Sequence, residues 1–309
     1  MANVVNLGTL ISVPGGQFLM GANDISERER PLHPVAVSGF RMQKHSATNQ
    51  QYGAWVRSLE DRRHFLMVHD RKTGVPKLLA QADNKKVFDS MGLKDFFPVL
   101  EDLGHRLTVG GLKAMMEDIF QVVTVGDHQP PKGFDAPHQP AVEVNFASAL
   151  LYAYMHGVGA RLPTEAEREY AASNGGKFRH GTATGELTKE LAHYNERKTI
   201  DVYNPKYPDG PFGFRHLVGN VWEWVMDWYG FYLKGPVVQN PTGPATGQFR
   251  VLRGGSCFPN LPITRRAAFR NLCPPGNQAR NVGFRVVLPQ DPSCPRRCSS
   301  SSGDCIRHT

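Results

Sequence analysis

Three of the four tryptophans of this chain fall in one stretch, FGFRHLVGNVWEWVMDWYG, at Trp222, Trp224 and Trp228. With Phe212, Phe214 and Tyr229 they carry more apolar area than a soluble surface exposes. The stretch is therefore expected to form the aromatic core of the domain. The chain has 309 residues, 40% of them apolar, enough for one large core or two small ones. Its 31 Gly and 23 Pro point to a loop-rich fold with many turns around that core.

Charge excludes little. The net +8 is diffuse, apart from short pairs such as Arg62-Arg63, Arg265-Arg266 and Arg296-Arg297. It favours acidic partners in general, and with no nucleic-acid module beside it, no nucleic-acid partner is expected. No stretch approaches the ~20 apolar residues of a membrane span. The start, MANVVNLGTLISVPGG, has no basic residue and no long apolar run, so it does not read as a signal peptide as written. The five cysteines, Cys257, Cys273, Cys294, Cys298 and Cys305, lie near the C-terminal end. Their odd number argues against a complete internal disulfide framework, and the last three lack the spacing and histidine partners of a zinc site.

Local signals place the elements. VPGGQFLMG reads as a tight turn and a strand. HPVAVSGFRM reads as a further strand, with Val35 and Val37 on one face and Phe40 brought round by a bulge near Gly39. Thr48 with Gln51 makes a capping box for a helix that buries Tyr52, Trp55, Val56 and Leu59. NFASALLYAYMHGVG predicts a helix with an apolar stripe of Ala147, Leu150, Leu151, Tyr154 and Met155. Thr164 with Glu167 caps another in RLPTEAEREYAAS. Residues 60–136 read as an insertion of helices broken at Gly and Pro: a structural embellishment before a lid or an oligomerisation element. FRVLRGG and VGFRVVL are expected to pair as the last two strands, and residues 291–309 read as a disordered tail.

Taken in order, PGGQFLMG, TNQQYGAWV, RLPTEAEREYAA, GNVWEW, RVLRGGS, RAAFR and NVGFRVV resemble the formylglycine-generating enzyme (sulfatase-modifying factor) family. The resemblance implies an α+β, C-type lectin-like fold over residues 1–290, loop-rich, with short β-strands and two or more helices. It also implies Cu(I) in the enzymes, held by two cysteines shortly after the RGGS-like turn. Here Cys257 follows the serine directly and the next cysteine is Cys273, so the pair is missing; one soft thiolate alone does not make that linear site. No clustered histidine motif replaces it: His33, His45, His138, His156, His180 and His216 are scattered. The family also implies a candidate calcium position on the backbones of Gly219 and Val221 and the side chain of Glu223. Arg215, His216, Leu217 and Val218, just upstream, offer no side-chain oxygen to it, and the alternative is that Glu223 binds loop amides.

The chain also resembles the variable proteins of diversity-generating retroelements, which share the framework RGGS … R-A-x-x-R … GFR. In those proteins adenine-directed mutagenesis diversifies a C-terminal surface, and Asn-type codons cannot become Lys, Glu, Gln, Met or Trp. Residues 257–282 contain no Lys, Glu, Met or Trp, and Gln278 is the one excluded type present. Within the variable region of about 250–287, the resemblance assigns ligand contacts to Cys257, Phe258, Asn260, Leu261, Ile263, Thr264, Arg265, Phe269, Asn271, Leu272, Cys273 and Asn277. About half of the apolar members are expected to face solvent, Phe269 being the first candidate to pack inward; Arg266, Ala267 and Arg270 are expected to anchor the chain. The expected function is non-catalytic binding of a variable protein or cell-surface ligand, displayed on a virion or cell, with no cofactor unless calcium. The alternative is a formylglycine-generating-type oxidase or related metal-dependent enzyme with an altered site.

Overall fold

The computed structural model describes residues 6–59, 64–69, 76–82 and 120–290. The aromatic stretch is the keystone. Its second half is strand β8 (Trp222–Trp228), buried on both faces apart from its last residue. β8 is the third strand of a sheet ordered β11-β10-β8-β12, with β10 at Arg250–Arg253, β11 at Asn271–Cys273 and β12 at Val282–Gly283. The expected pairing of the two framework strands is therefore corrected. β10 runs antiparallel to one side of β8, and β12 runs parallel to the other, so the tryptophan strand lies between them. The chain then leaves this sheet, and β13 (Val287–Pro289) pairs with a strand near the N-terminus instead.

That partner is β4 (Phe40–Gln43), which sits between β13 and β1 (Leu10–Val13). β2 (Gly16–Met20) and β3 (His33–Val37) belong to a different sheet, completed by β9 (Val238–Gln239). HPVAVSGFRM is thus two strands in two sheets, and Ser38-Gly39 is a corner between them, not a bulge within one strand. Alternation cannot reveal such a switch, because the inward face is kept. Gly15 allows the corner: a Cβ there would stand 2.8 Å from the Val37 carbonyl oxygen and 2.9 Å from the Gly39 nitrogen.

The helices form where caps and apolar spacing agree. α1 (Asn49–Ser58) carries the predicted Thr48–Gln51 capping box, and its Tyr52, Trp55 and Val56, with the following Leu59, are buried. α2 (Phe146–Tyr154) starts at Asn145, whose side chain accepts from the Ser148 amide at 2.9 Å. It is buried nearly all round; Ala147, Tyr154 and Met155 of the expected stripe are only half-buried. α1, β8 and Phe284 crowd it from several sides, and the Trp224 indole donates to the Val144 carbonyl beside its start. α3 (Glu165–Ala172) has the second capping box, Thr164–Glu167, and every residue in it is buried, charged ones included.

The described parts of the insertion are three strands and a loop, not helices: β5 (His64–His69) lies between β6 (Pro76–Ala82) and β7 (Phe120–Thr124), and 125–136 are irregular. Phe120–Thr124 includes the end of the expected helical run; the rest of that run falls in 83–119, outside the described residues, as does the tail at 291–309. Among the described residues no helix is long and apolar enough to cross a membrane.

Candidate ligand-binding surface

The variable region is built on buried arginines. Arg270 meets Glu165 of α3 in a fork, Nε to Oε1 and Nη2 to Oε2, each at 2.7 Å. Arg253 at the end of β10 pairs with Glu169 one helical turn further along, and donates to the carbonyls of Ala267, Ala268 and Phe269. Arg266 binds Glu29 at 2.7 Å. The expected anchoring by Arg266 and Arg270 therefore has named partners on α3 and the N-terminal loop. Sequence reasoning missed Arg253, Glu165, Glu169 and Glu29. One signal was available: Glu165 and Glu169 are four apart and share a helix face, an acidic stripe that inside a domain calls for buried cations.

The contact residues assigned by resemblance divide. Asn260, Leu261 and Asn277 are exposed, Leu261 at 67%, and Phe258, Ile263, Asn271 and Leu272 are half-buried. Phe269 is half-buried as well, its ring 5.9 Å from that of Trp222 and packed against the core. Four others are corrected from surface to interior. Arg265 is 1% exposed because it ties its own loop: Nη1 donates to the carbonyls of Asn260 and Leu261, and Nη2 to the carbonyl of Phe258 and to Asn195 Oδ1. Thr264 is buried with its hydroxyl on the Leu261 carbonyl at 2.8 Å. Cys257 is fully buried, its amide on the Asn220 carbonyl and its carbonyl taking the Glu196 amide. Cys273 is buried in β11, paired with Arg250 of β10.

The exposed and half-buried remainder is a loop, Phe258–Ile263, held from below by Arg265 and passing over a 3-10 turn at Pro262–Arg265. Phe258 sets its ring edge-on to Phe134 at 6.1 Å, over a small cluster with Val142 and Val221. Asn271 and Leu272 lie on the edge strand β11, followed by Asn277 in a turn.

The positions that would hold metals do not fit them. Glu223 accepts from Arg285 and Ser46 on Oε1 and from Arg168 and Arg285 on Oε2. Burial alone would raise its pKa, but the two guanidiniums overcome that and hold the carboxyl at about 2. A carboxylate saturated by two cations is no ligand for a third, so Glu223 is corrected from candidate calcium ligand to centre of a buried ion-pair triad. Cys257 has no second cysteine before Cys273, and one soft thiolate alone does not make a linear Cu(I) site; burial pushes its thiol up to about 12. The histidines are less scattered than the sequence implied. His45 and His138 flank the Tyr203 ring at 4.7 and 5.2 Å, and His193 and His216 flank Tyr207 at 5.9 and 5.6 Å. Burial lowers the pKa of His216 to about 3, which keeps its ring neutral.

A family model described as sulfatase-modifying factor enzyme 1-like domain matches residues 2–289. The chain is 30% identical to a serine/threonine-protein kinase pkn1 of Chlamydia pneumoniae over 91% of this chain, yet it spans only 38% of that relative's length. It is 29% identical to the formylglycine-generating enzyme of Streptomyces coelicolor, covering 91% of this chain and 89% of the enzyme. Among solved structures, Treponema denticola variable protein 1 superposes with a TM-score of 0.58 at 19% identity, over 92% of this chain and 97% of that one. The shared architecture is the α+β, C-type lectin-like fold.

Proposed function

We propose that this chain, which belongs to the sulfatase-modifying factor enzyme 1-like family, is a non-catalytic binding protein that presents diversified side chains on its Phe258–Ile263 loop and the Asn271–Asn277 edge. One observation carries the reading. The loop is held by Arg265 through backbone carbonyls, so its exposed side chains can change without disturbing what fixes its path. Leu261, 67% exposed on this loop, with Phe258 half-buried beside it, gives a partner apolar side chains to meet. The ligand would be a variable protein or a cell-surface molecule, met on a virion or cell.

The competing reading, an oxidase like the relative from Streptomyces coelicolor, is favoured by near end-to-end coverage of that enzyme. Against it stands the spacing of the cysteines: Cys257 follows the RGGS turn and the next is Cys273, in strand β11.

Sequencing this locus in sibling isolates tests the proposal. Substitutions are expected at positions that are adenine in the template, in the codons of Phe258, Asn260, Leu261, Ile263, Asn271, Leu272 and Asn277, sparing Arg253, Arg265, Arg266 and Arg270. An even spread, or changes at the buried arginines, would refute it. Oxidation of a cysteine-containing sulfatase peptide by the copper-loaded protein would establish the oxidase instead.

A further inference from the structure

Arg265 and Arg266 are neighbours in sequence and serve different places. Arg265 turns to the loop described above, whereas Arg266 turns to the N-terminal segment and reaches a separate cavity of about 150 Å³. Leu19 and Phe178 make apolar walls, Gly176 adds open backbone, and Arg179 stands at the mouth. The Arg266 side chain is only 4% exposed. Its Nη2 is fixed by Glu29 at 2.7 Å, its Nε has no hydrogen-bond partner, and its Nη1 meets only Asp24 Oδ1, at 3.5 Å. The other oxygen of Asp24 lies 3.4 Å from Arg179 Nη2.

One half-exposed carboxylate thus spans two guanidiniums, and touches both at distances well beyond the ~2.7–2.9 Å of a charge-assisted hydrogen bond. The other charges around the cavity are already answered. Glu169 takes the Gly21 amide and Arg253, Glu165 takes Arg270, and Glu29 takes Arg266 through Oε1, its Oε2 having no hydrogen-bond partner. If Asp24, on its exposed loop, swings aside, one positive charge is left uncompensated beside an apolar wall.

We propose that the cavity between Arg179 and Arg266 is a second binding site, for the carboxylate of a compact ligand with an apolar group, and that Asp24 occupies it as a tethered, displaceable stand-in. The ligand carboxylate takes the two guanidiniums at short range and its apolar part lies against Leu19 and Phe178. The same chemistry is offered by a small free acid and by the C-terminus of a peptide ending in an apolar residue.

Calorimetry with phenylacetate, with a tetrapeptide ending in Phe as free acid or amide, and with inorganic phosphate tests this on the full chain. Phenylacetate or the free-acid peptide is expected to bind the wild type. Asp24→Ala should bind about threefold tighter, as fits the loss of a half-exposed competing pair. Arg179→Ala should bind about tenfold weaker, as fits the loss of one charge-assisted hydrogen bond. Arg179 is largely exposed, so unchanged thermal melting of that variant separates loss of binding from loss of fold. Tighter binding of the peptide identifies a chain terminus as the source; tighter binding of phenylacetate identifies a free acid. No binding to either the wild type or Asp24→Ala, equal binding of the amidated peptide, or binding unchanged in Arg179→Ala would overturn the proposal. So would phosphate binding as tightly as the acids, since the apolar wall would then contribute nothing.

Discussion

Arg285 closes on Glu223 with both side chains fully buried, Nη2 at 2.7 Å from Oε1 and Nε at 2.9 Å from both oxygens. Arg168 of α3 completes the triad from the other side at 2.7 Å, so one carboxylate joins α3, β8 and the segment between β12 and β13. Glu223→Gln would leave two buried guanidiniums without a counter-charge, and a loss of about 3–5 kcal/mol is expected in urea unfolding. The pH dependence has a definite sign. The folded carboxyl is held at about 2, below its usual value of 4.5, so its contribution is present above pH 4.5 and is lost as pH falls toward 2. Glu223→Gln should lack that part of the acid transition.

Asp227, on the same strand, should behave in the opposite sense. Burial first, and then the neighbouring Glu165 carboxylate, push its carboxyl up to about 8. A raised acid binds its proton in the fold before it would in the unfolded chain. Its contribution is therefore complete below the usual Asp value near 4 and is lost as pH rises through 8. Asp227→Asn keeps an oxygen for the Glu165 amide, which the wild-type side chain accepts at 2.8 Å. The variant should match the wild type near pH 4 and exceed it at pH 8 in chemical denaturation; an unchanged slope over that range would dismiss the protonated Asp227.

The loop surface yields a paired prediction. Arg265→Ala frees the carbonyls of Phe258 and Asn260, while that of Leu261 keeps the Thr264 hydroxyl, and a loss of about 1–3 kcal/mol is expected, with faster amide exchange from 258 to 264. Leu261→Asn should change stability by no more than about 0.5 kcal/mol, because that side chain is 67% exposed. If Leu261→Asn were the more damaging of the two, the separation of frame from contact residues would be wrong.

The contrast between those two residues also marks how far the sequence could be read. α1 and α3 were legible because a capping box and apolar spacing are local signals, and both boxes are present. Area alone placed Trp222, Trp224 and Phe214 in the core, whereas Phe212, Trp228 and Tyr229 are half-buried. What was hidden depends on partners distant along the chain. Arg270 and Glu165 are 105 residues apart, and no periodicity announces such a pair. Arg265 and Thr264 were given to the surface by resemblance, but loop carbonyls need donors from within, and these two supply them. Glu223 matched a calcium-binding position by its place in the motif, and only the approach of Arg168 and Arg285 shows that its charge is already spent.

The two described cysteines allow a direct check on catalytic capacity. Burial raises the thiol of Cys273 and pushes that of Cys257 up to about 12, so at pH 8 both are held as thiols. In a background with Cys294, Cys298 and Cys305 changed to serine, neither thiol should react with a disulfide reagent in the native state. Both should react once denaturant is added. The same protein, titrated with Cu(I) against a competing chelator, should show no stoichiometric high-affinity site, since a lone buried thiol lacks the second soft ligand and its deprotonation is opposed by its surroundings. Rapid native labelling of Cys257 together with retention of one copper per chain would reverse this, and would make the oxidase the better reading of the fold.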